Sequence, residues 1–123
     1  MTARAILRLQ DMKQSIADIR DLLADLPMER LDAHRPTRAA FERFLEILSE
    51  ASRGVPEDWK RSAAPDLPWR RVADLGNHIR HAYHRVDTQI LWNIYALELD
   101  GLERAVDAML ASFADPSGAA EAR

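Results

Sequence analysis

The apolar residues of this chain return at intervals of three and four along most of its length, and no run of β-branched residues alternates in twos. That spacing collects them on single faces of α-helices and leaves no segment patterned as a strand. The opening segment, roughly residues 2 to 25, aligns Ile6, Leu9, Met12, Ile16, Ile19 and Leu23 in one stripe and stops at Pro27. "PMERLDAHRP" reads as a loop, and Thr37 stands where it can cap a second helix that turns Phe41, Phe44, Leu45 and Leu48 inward. Gly54 and Pro56 end that helix. "PEDWKR" reads as a single helical turn and "SAAPDLP" as a linker. Pro68 suits the first turn of a third helix running to about residue 84. A break near His84 to Asp87 follows, and Asp87 or Thr88 caps a fourth helix whose apolar positions are Ile90, Leu91, Ile94, Leu97, Val106, Met109 and Phe113. The tail "DPSGAAEAR" is small and polar. The expected architecture is all-α: an antiparallel four-helix bundle with a short extra helical turn, one domain over residues 1–114, and a disordered tail over 115–123.

Composition narrows the setting. The chain has no cysteine, which excludes disulfides and thiolate metal sites and suits a reducing cytosol. No apolar run approaches the ~18 residues of a membrane span, and "MTARAILRLQDMKQ" lacks a signal-peptide core. A cytoplasmic protein without a membrane partner is expected. The net charge of -3 argues against indiscriminate coating of nucleic acid. Between residues 60 and 85, however, Lys60, Arg61, Arg70, Arg71, Arg80 and Arg85 face only Asp66 and Asp74, a basic segment able to meet phosphate.

The third helix gathers the chemistry. "GNHIRHAYHRVD", residues 76 to 87, holds three of the four histidines. At about 100° per residue, Arg70, Asp74, Asn77, His78 and His84 fall within about 60° of His81. Trp69, Val72, Leu75, Gly76, Ile79 and Tyr83 fall on the opposite side. The apolar side is core, and the polar side is either a solvated face or a site. His78 and His81, with Asp74 one turn earlier, share a face that could hold a metal, but only the loop residue His34 offers a further ligand. Neither a metal nor a cofactor is expected. Trp59, Trp69 and Trp92 read as core anchors. Gly76 inside a helix costs about 1 kcal/mol against alanine, which close packing against another helix would explain.

"LPWRRVADLGNHIRHAYHRVDTQILWNIYALELDGLERAV" resembles the closing half of HepT-like proteins, the toxin branch of the HEPN (higher eukaryotes and prokaryotes nucleotide-binding) superfamily. The family pattern there is Pro-Trp-x-x-Ile, then Arg-Asn-x-x-x-His-x-Tyr, then Val-Asp and a tryptophan opening the last helix. "AFERFLEILSEASRGVP" is similar to the family's second helix, so the likeness spans roughly residues 35 to 110.

The resemblance implies a homodimeric all-α toxin that cleaves RNA and is neutralised by a minimal nucleotidyltransferase, which can attach AMP to the motif tyrosine. Carried over by position, the motif histidine is His81, the polar residue Asn77 and the tyrosine Tyr83; the motif arginine is replaced by Gly76. Metal-independent cleavage needs a group to move the 2′-hydroxyl proton and a cation for the transition-state phosphate. His81 fits the first role. Arg80 is the nearest cation for the second, although on an ideal helix it projects about 100° from His81, a gap that a dimer partner or a bent helix end would have to close. Arg70, His78 and Arg85 are candidates for holding RNA. The alternative is a catalytically silent HEPN module that binds a nucleotidyltransferase, which the loss of the motif arginine would suit.

Overall fold

The computed structural model describes residues 2–82 and 86–113. All regular structure among them is helical, in the order α1 (Thr2–Leu23), α2 (Glu29–Ala33), α3 (Arg35–Arg53), α4 (Glu57–Ala63), α5 (Trp69–His81), α6 (Thr88–Asn93), a π-helical turn (Ile94–Glu98) and α7 (Leu99–Phe113). The last three follow without interruption and form one rod. The all-α expectation holds. The strict four-helix bundle does not: two short helices accompany the four long ones among the described residues, α4 being the extra turn expected at "PEDWKR" and α2 one that was not expected. Each short helix brings a large side chain into the core, Leu31 from α2 and Trp59 from α4, and a helical turn does this while keeping its backbone groups bonded. The break between the last two long helices is present, with Ala82 extended and α6 starting at Thr88. The tail expected to be disordered, 115–123, lies outside the described residues.

The core is the contact of α1 with α3, closed by α7. Leu9, Met12, Ile16 and Ile19 of α1 are fully buried against Phe41 and Leu45 of α3 and Val106 and Met109 of α7 in one cluster. Both neighbours run antiparallel to α1. Lys13 pairs with Asp107 while Arg20, two turns later, pairs with Asp100 and Glu103. Arg8, near the start of α1, lies beside Gly54 at the end of α3. The α5 helix packs on α3, again antiparallel, since Arg53 meets Ala73 whereas Ser49, one turn earlier, meets Gly76. The chain leaves α1 through Asp25, whose φ of 62° is left-handed, a conformation that aspartate tolerates better than most residues.

Local signals explain most boundaries, with corrections. The "PMERLDAHRP" segment is not a plain loop, because it contains α2. The cap of α3 is His34 rather than Thr37: its Nδ1 accepts the Thr37 backbone N–H at 3.3 Å, and Pro36 occupies the first turn, where it has no N–H to lose. Pro68 stands one residue ahead of α5 as its N-cap. Asp87 caps α6 as expected, its carboxylate accepting the Gln89 N–H at 2.7 Å. The tryptophans anchor the core: Trp59 stacks on Phe113 with ring centroids 4.2 Å apart, and Trp69 and Trp92 are packed against the cluster.

The apolar positions of the rod divide. Leu91, Leu99, Leu102, Val106 and Met109 face the core, but Ile90 is 53% exposed and Leu97 71%. Ile90 and Leu97 are seven residues apart and share one side of the rod. That side borders a groove of about 380 Å³ between α5 and the rod, lined also by Leu67, Val72 and Leu75. The π turn forms one wall of this groove.

Candidate active site

The α5 helix owes its placement to α3. The Ser49 hydroxyl donates to the Val72 carbonyl at 2.7 Å and accepts the Gly76 N–H at 2.9 Å. Four residues apart, these are the two groups an undisturbed α-helix would join to each other, so a side chain from α3 is built into the backbone ladder of α5. A Cβ at Gly76 would lie 3.1 Å from the same hydroxyl, tighter than ordinary contact. The mid-helix glycine therefore has the close-packing explanation expected for it. Arg53, one turn beyond Ser49 on α3, donates to the Ala73 carbonyl at 3.1 Å and reaches Asp74 at 3.9 Å.

With Gly76 and Ile79 turned inward, Asn77, His78, Arg80 and His81 are exposed at the C-terminal end of α5. Arg80 turns its guanidinium toward Asn77 and Gly76. Its long side chain folds back along the helix, and Nη2 donates to Asn77 Oδ1 at 2.5 Å. Its Nη1 rests 3.3 Å from the position a Cβ of residue 76 would take. The absence of a side chain at Gly76 leaves room for this arm.

The three residues Asn77, Arg80 and His81 thus share one helix end. Arg70 is exposed on the same side but about 16 Å away along the axis, at 1.5 Å per residue. His78 lies one turn before His81. Tyr83 and Arg85 fall outside the described residues. The last turn of α5 is cationic, which suits the negative end of the helix dipole. Among the described residues, no cluster of three or more His, Cys, Asp or Glu side chains could hold a metal ion. No helix among them is long and apolar enough to cross a membrane.

Sequence reasoning overlooked Ser49 and Arg53. A signal was present, since Ser49 and Ser52 are polar residues on the inward side of α3, where both are buried. The partners of Ser49 and Arg53 on α5 lie 20 or more positions away, which no local pattern reveals.

The described residues form an all-α protein that exposes Asn77, Arg80 and His81 at one helix end. The family described as ribonuclease HepT-like matches residues 12–109, and the chain belongs to that family. The HepT-like placement within the HEPN superfamily that the motifs implied is thereby established. The "Probable ribonuclease HepT" of Thermococcus cleftensis is 33% identical over 95 residues, covering 77% of this chain and 86% of the relative. "Putative RNase MJ1380" of Methanocaldococcus jannaschii is 29% identical over 99 residues, covering 80% of this chain and 90% of that protein. No solved structure matches significantly.

Proposed function

We propose that this chain is a HepT-like toxin that cleaves RNA without a metal ion, at the end of α5 formed by Asn77, Arg80 and His81. The observation that supports it best is the Arg80 guanidinium, held by Asn77 over the space left by Gly76. An arginine one turn further along the helix thereby serves where the family motif has its own. In the reaction, His81 takes the proton of the 2′-hydroxyl as that oxygen attacks phosphorus. The bond from phosphorus to the 5′-oxygen breaks, a solvent proton ends on the leaving oxygen, and Arg80 stabilises the charge that builds on the phosphate. Asn77 fixes the guanidinium, and His78, Arg70 and Arg85 hold the RNA strand.

A minimal nucleotidyltransferase encoded beside the chain is its expected antitoxin. The Tyr83 oxygen would attack the α-phosphorus of ATP, release pyrophosphate and retain AMP, adding negative charge beside the cationic end of α5. Self-association belongs on the groove side of the rod, where Ile90 and Leu97 are exposed and Arg71 and Glu98 line opposite walls. A two-fold contact there would set Arg71 of each copy toward Glu98 of the other.

The test is cleavage of single-stranded RNA by the purified chain in EDTA. Activity should persist in chelator and fall by about 10²-fold or more in His81→Ala, the scale of a lost general base. Activity restored only by a divalent ion would overturn the metal-free mechanism. The replacement of the motif arginine by Gly76 favours a second reading, a silent module that only binds the nucleotidyltransferase. Tight binding of that enzyme by a chain that leaves RNA intact at every concentration would establish it.

A further inference from the structure

Arg38 of α3 is buried, its side chain only 5% exposed, and nothing in the proposed cleavage uses it. Burying a guanidinium is costly unless its donors are met and its charge is compensated. Here both conditions hold. Its Nε donates to Glu42 Oε2 at 2.8 Å, and Nη1 donates to Thr88 Oγ1 at 2.6 Å with Asp32 at 3.4 Å. Its Nη2 donates to the Val86 carbonyl. The Thr88 hydroxyl in turn donates to Asp32 at 2.5 Å, closing a ring of three groups from α2, α3 and the first residue of α6.

The position of this ring matters more than its energy. Val86 and Thr88 are where the chain returns to the bundle after leaving α5 at His81. Val86 is five Cα-to-Cα steps beyond His81, a reach of at most about 18 Å. The same helix, α3, holds both flanks: Ser49 is built into α5, and Arg38, about 16 Å back along the axis, holds the start of α6. Glu42 and Asp32 neutralise the guanidinium, and its burial keeps it from meeting RNA.

We propose that Arg38 is a positioning residue: it fixes the chain at Val86 and Thr88 and so sets the first turn of α6 relative to the His81 end of α5. This rests on the reading of that end as the cleavage site. The experiment pairs cleavage kinetics on a single-stranded RNA oligonucleotide with amide hydrogen exchange in Arg38→Met, Arg38→Lys and Thr88→Val. Arg38→Met should lower kcat at least tenfold with KM within twofold. It should also speed exchange at the amides of Gln89 and Leu91 at least tenfold while α1 keeps its protection. Arg38→Lys, with a charge but no fork of donors, should fall between, and Thr88→Val should move both readouts the same way by less. If Arg38→Met fails to fold, Thr88→Val decides. A raised KM with kcat intact would mean that Arg38 meets RNA, and it would overturn the proposal. Faster exchange with unchanged kcat would leave Arg38 merely stabilising and would overturn it equally. If the unaltered chain cleaves no RNA, the cleavage reading fails alone; the exchange arm still decides, and unchanged exchange in both variants overturns the fixing role itself.

Discussion

The α1 face that meets α3 and the rod face that borders the groove draw on the same kinds of residue. Leu9, Met12, Ile16 and Ile19 on the first, and Ile90, Ile94 and Leu97 on the second, are aliphatic side chains spaced for one side of a helix. The first set is completely buried, whereas Leu97 and Ile90 stand mostly in solvent. The difference lies in what each face finds opposite. The α1 stripe has α3 and α7 against it, but α5 spends its packing on α3 and leaves the rod side open. A helix face records the need for a cover, not its presence. In this molecule the open face adjoins the helix that carries the candidate site, and the closed one supplies the stability on which that helix rests.

The largest expected effect tests the contrast directly. Ile16→Ala should lower unfolding free energy by about 2–5 kcal/mol, the cost of a fully buried large-to-small change. Leu97→Ala should change the stability of the monomer by less than about 0.5 kcal/mol and yet weaken self-association. Urea titrations and light scattering on the two variants check both; an equal loss of stability would mean the groove is closed in solution.

A smaller effect is expected at the seam of α3 and α5. Gly76→Ala gains about 1 kcal/mol of helix preference but crowds a Ser49 hydroxyl that is bonded on both sides and cannot yield. Overpacking costs about 1–3 kcal/mol, so a net loss near 1 kcal/mol should appear in denaturant titration. Adding Ser49→Ala should recover part of it. A stabilised single variant would show that the seam relaxes freely.

Asp87→Ala removes the cap of α6 and should cost about 0.5–2 kcal/mol, measurable as a lowered Tm. Capping acts within one turn, so exchange should quicken at Gln89 and not in α7.

The smallest effect belongs to the surface of the closed half. The Asp107 carboxylate, bonded to the Lys13 ammonium, holds it above the ordinary lysine value, opposed by slight desolvation and aided by Glu103. A raised folded-state value means the pair contributes fully at neutral pH and is lost as pH rises through the lysine range. The small Tm difference between the natural chain and Lys13→Met should therefore disappear at high pH. A difference that grows with pH would reverse the sign.

Much of the fold was legible because its signals are local. The stripe from Leu9 to Leu23 names a helix face from its own spacing, and the Asp87 cap and the breaks at Pro27 and Gly54 act within a few residues. The candidate residues were legible for the same reason: the motif resemblance picked out Asn77 and His81, Arg80 was the nearest cation to them, and all three stand on α5. That the Arg80 arm folds back to Asn77 depends on the bare surface at Gly76, which the sequence contains but does not orient.

By itself, then, the sequence determined where helices form, which side of each is apolar and which polar residues crowd the end of α5, since these follow from propensity and period over one or two turns. Only the tertiary structure decided that α2 is helical and that the Ile90 and Leu97 side of the rod stays open. It alone placed Ser49 in the ladder of α5 and buried Arg38 beneath the start of α6. The reason is physical: a buried polar group must find its partner wherever packing brings one, and Ser49 and Arg38 each bond a partner 23 to 50 residues away.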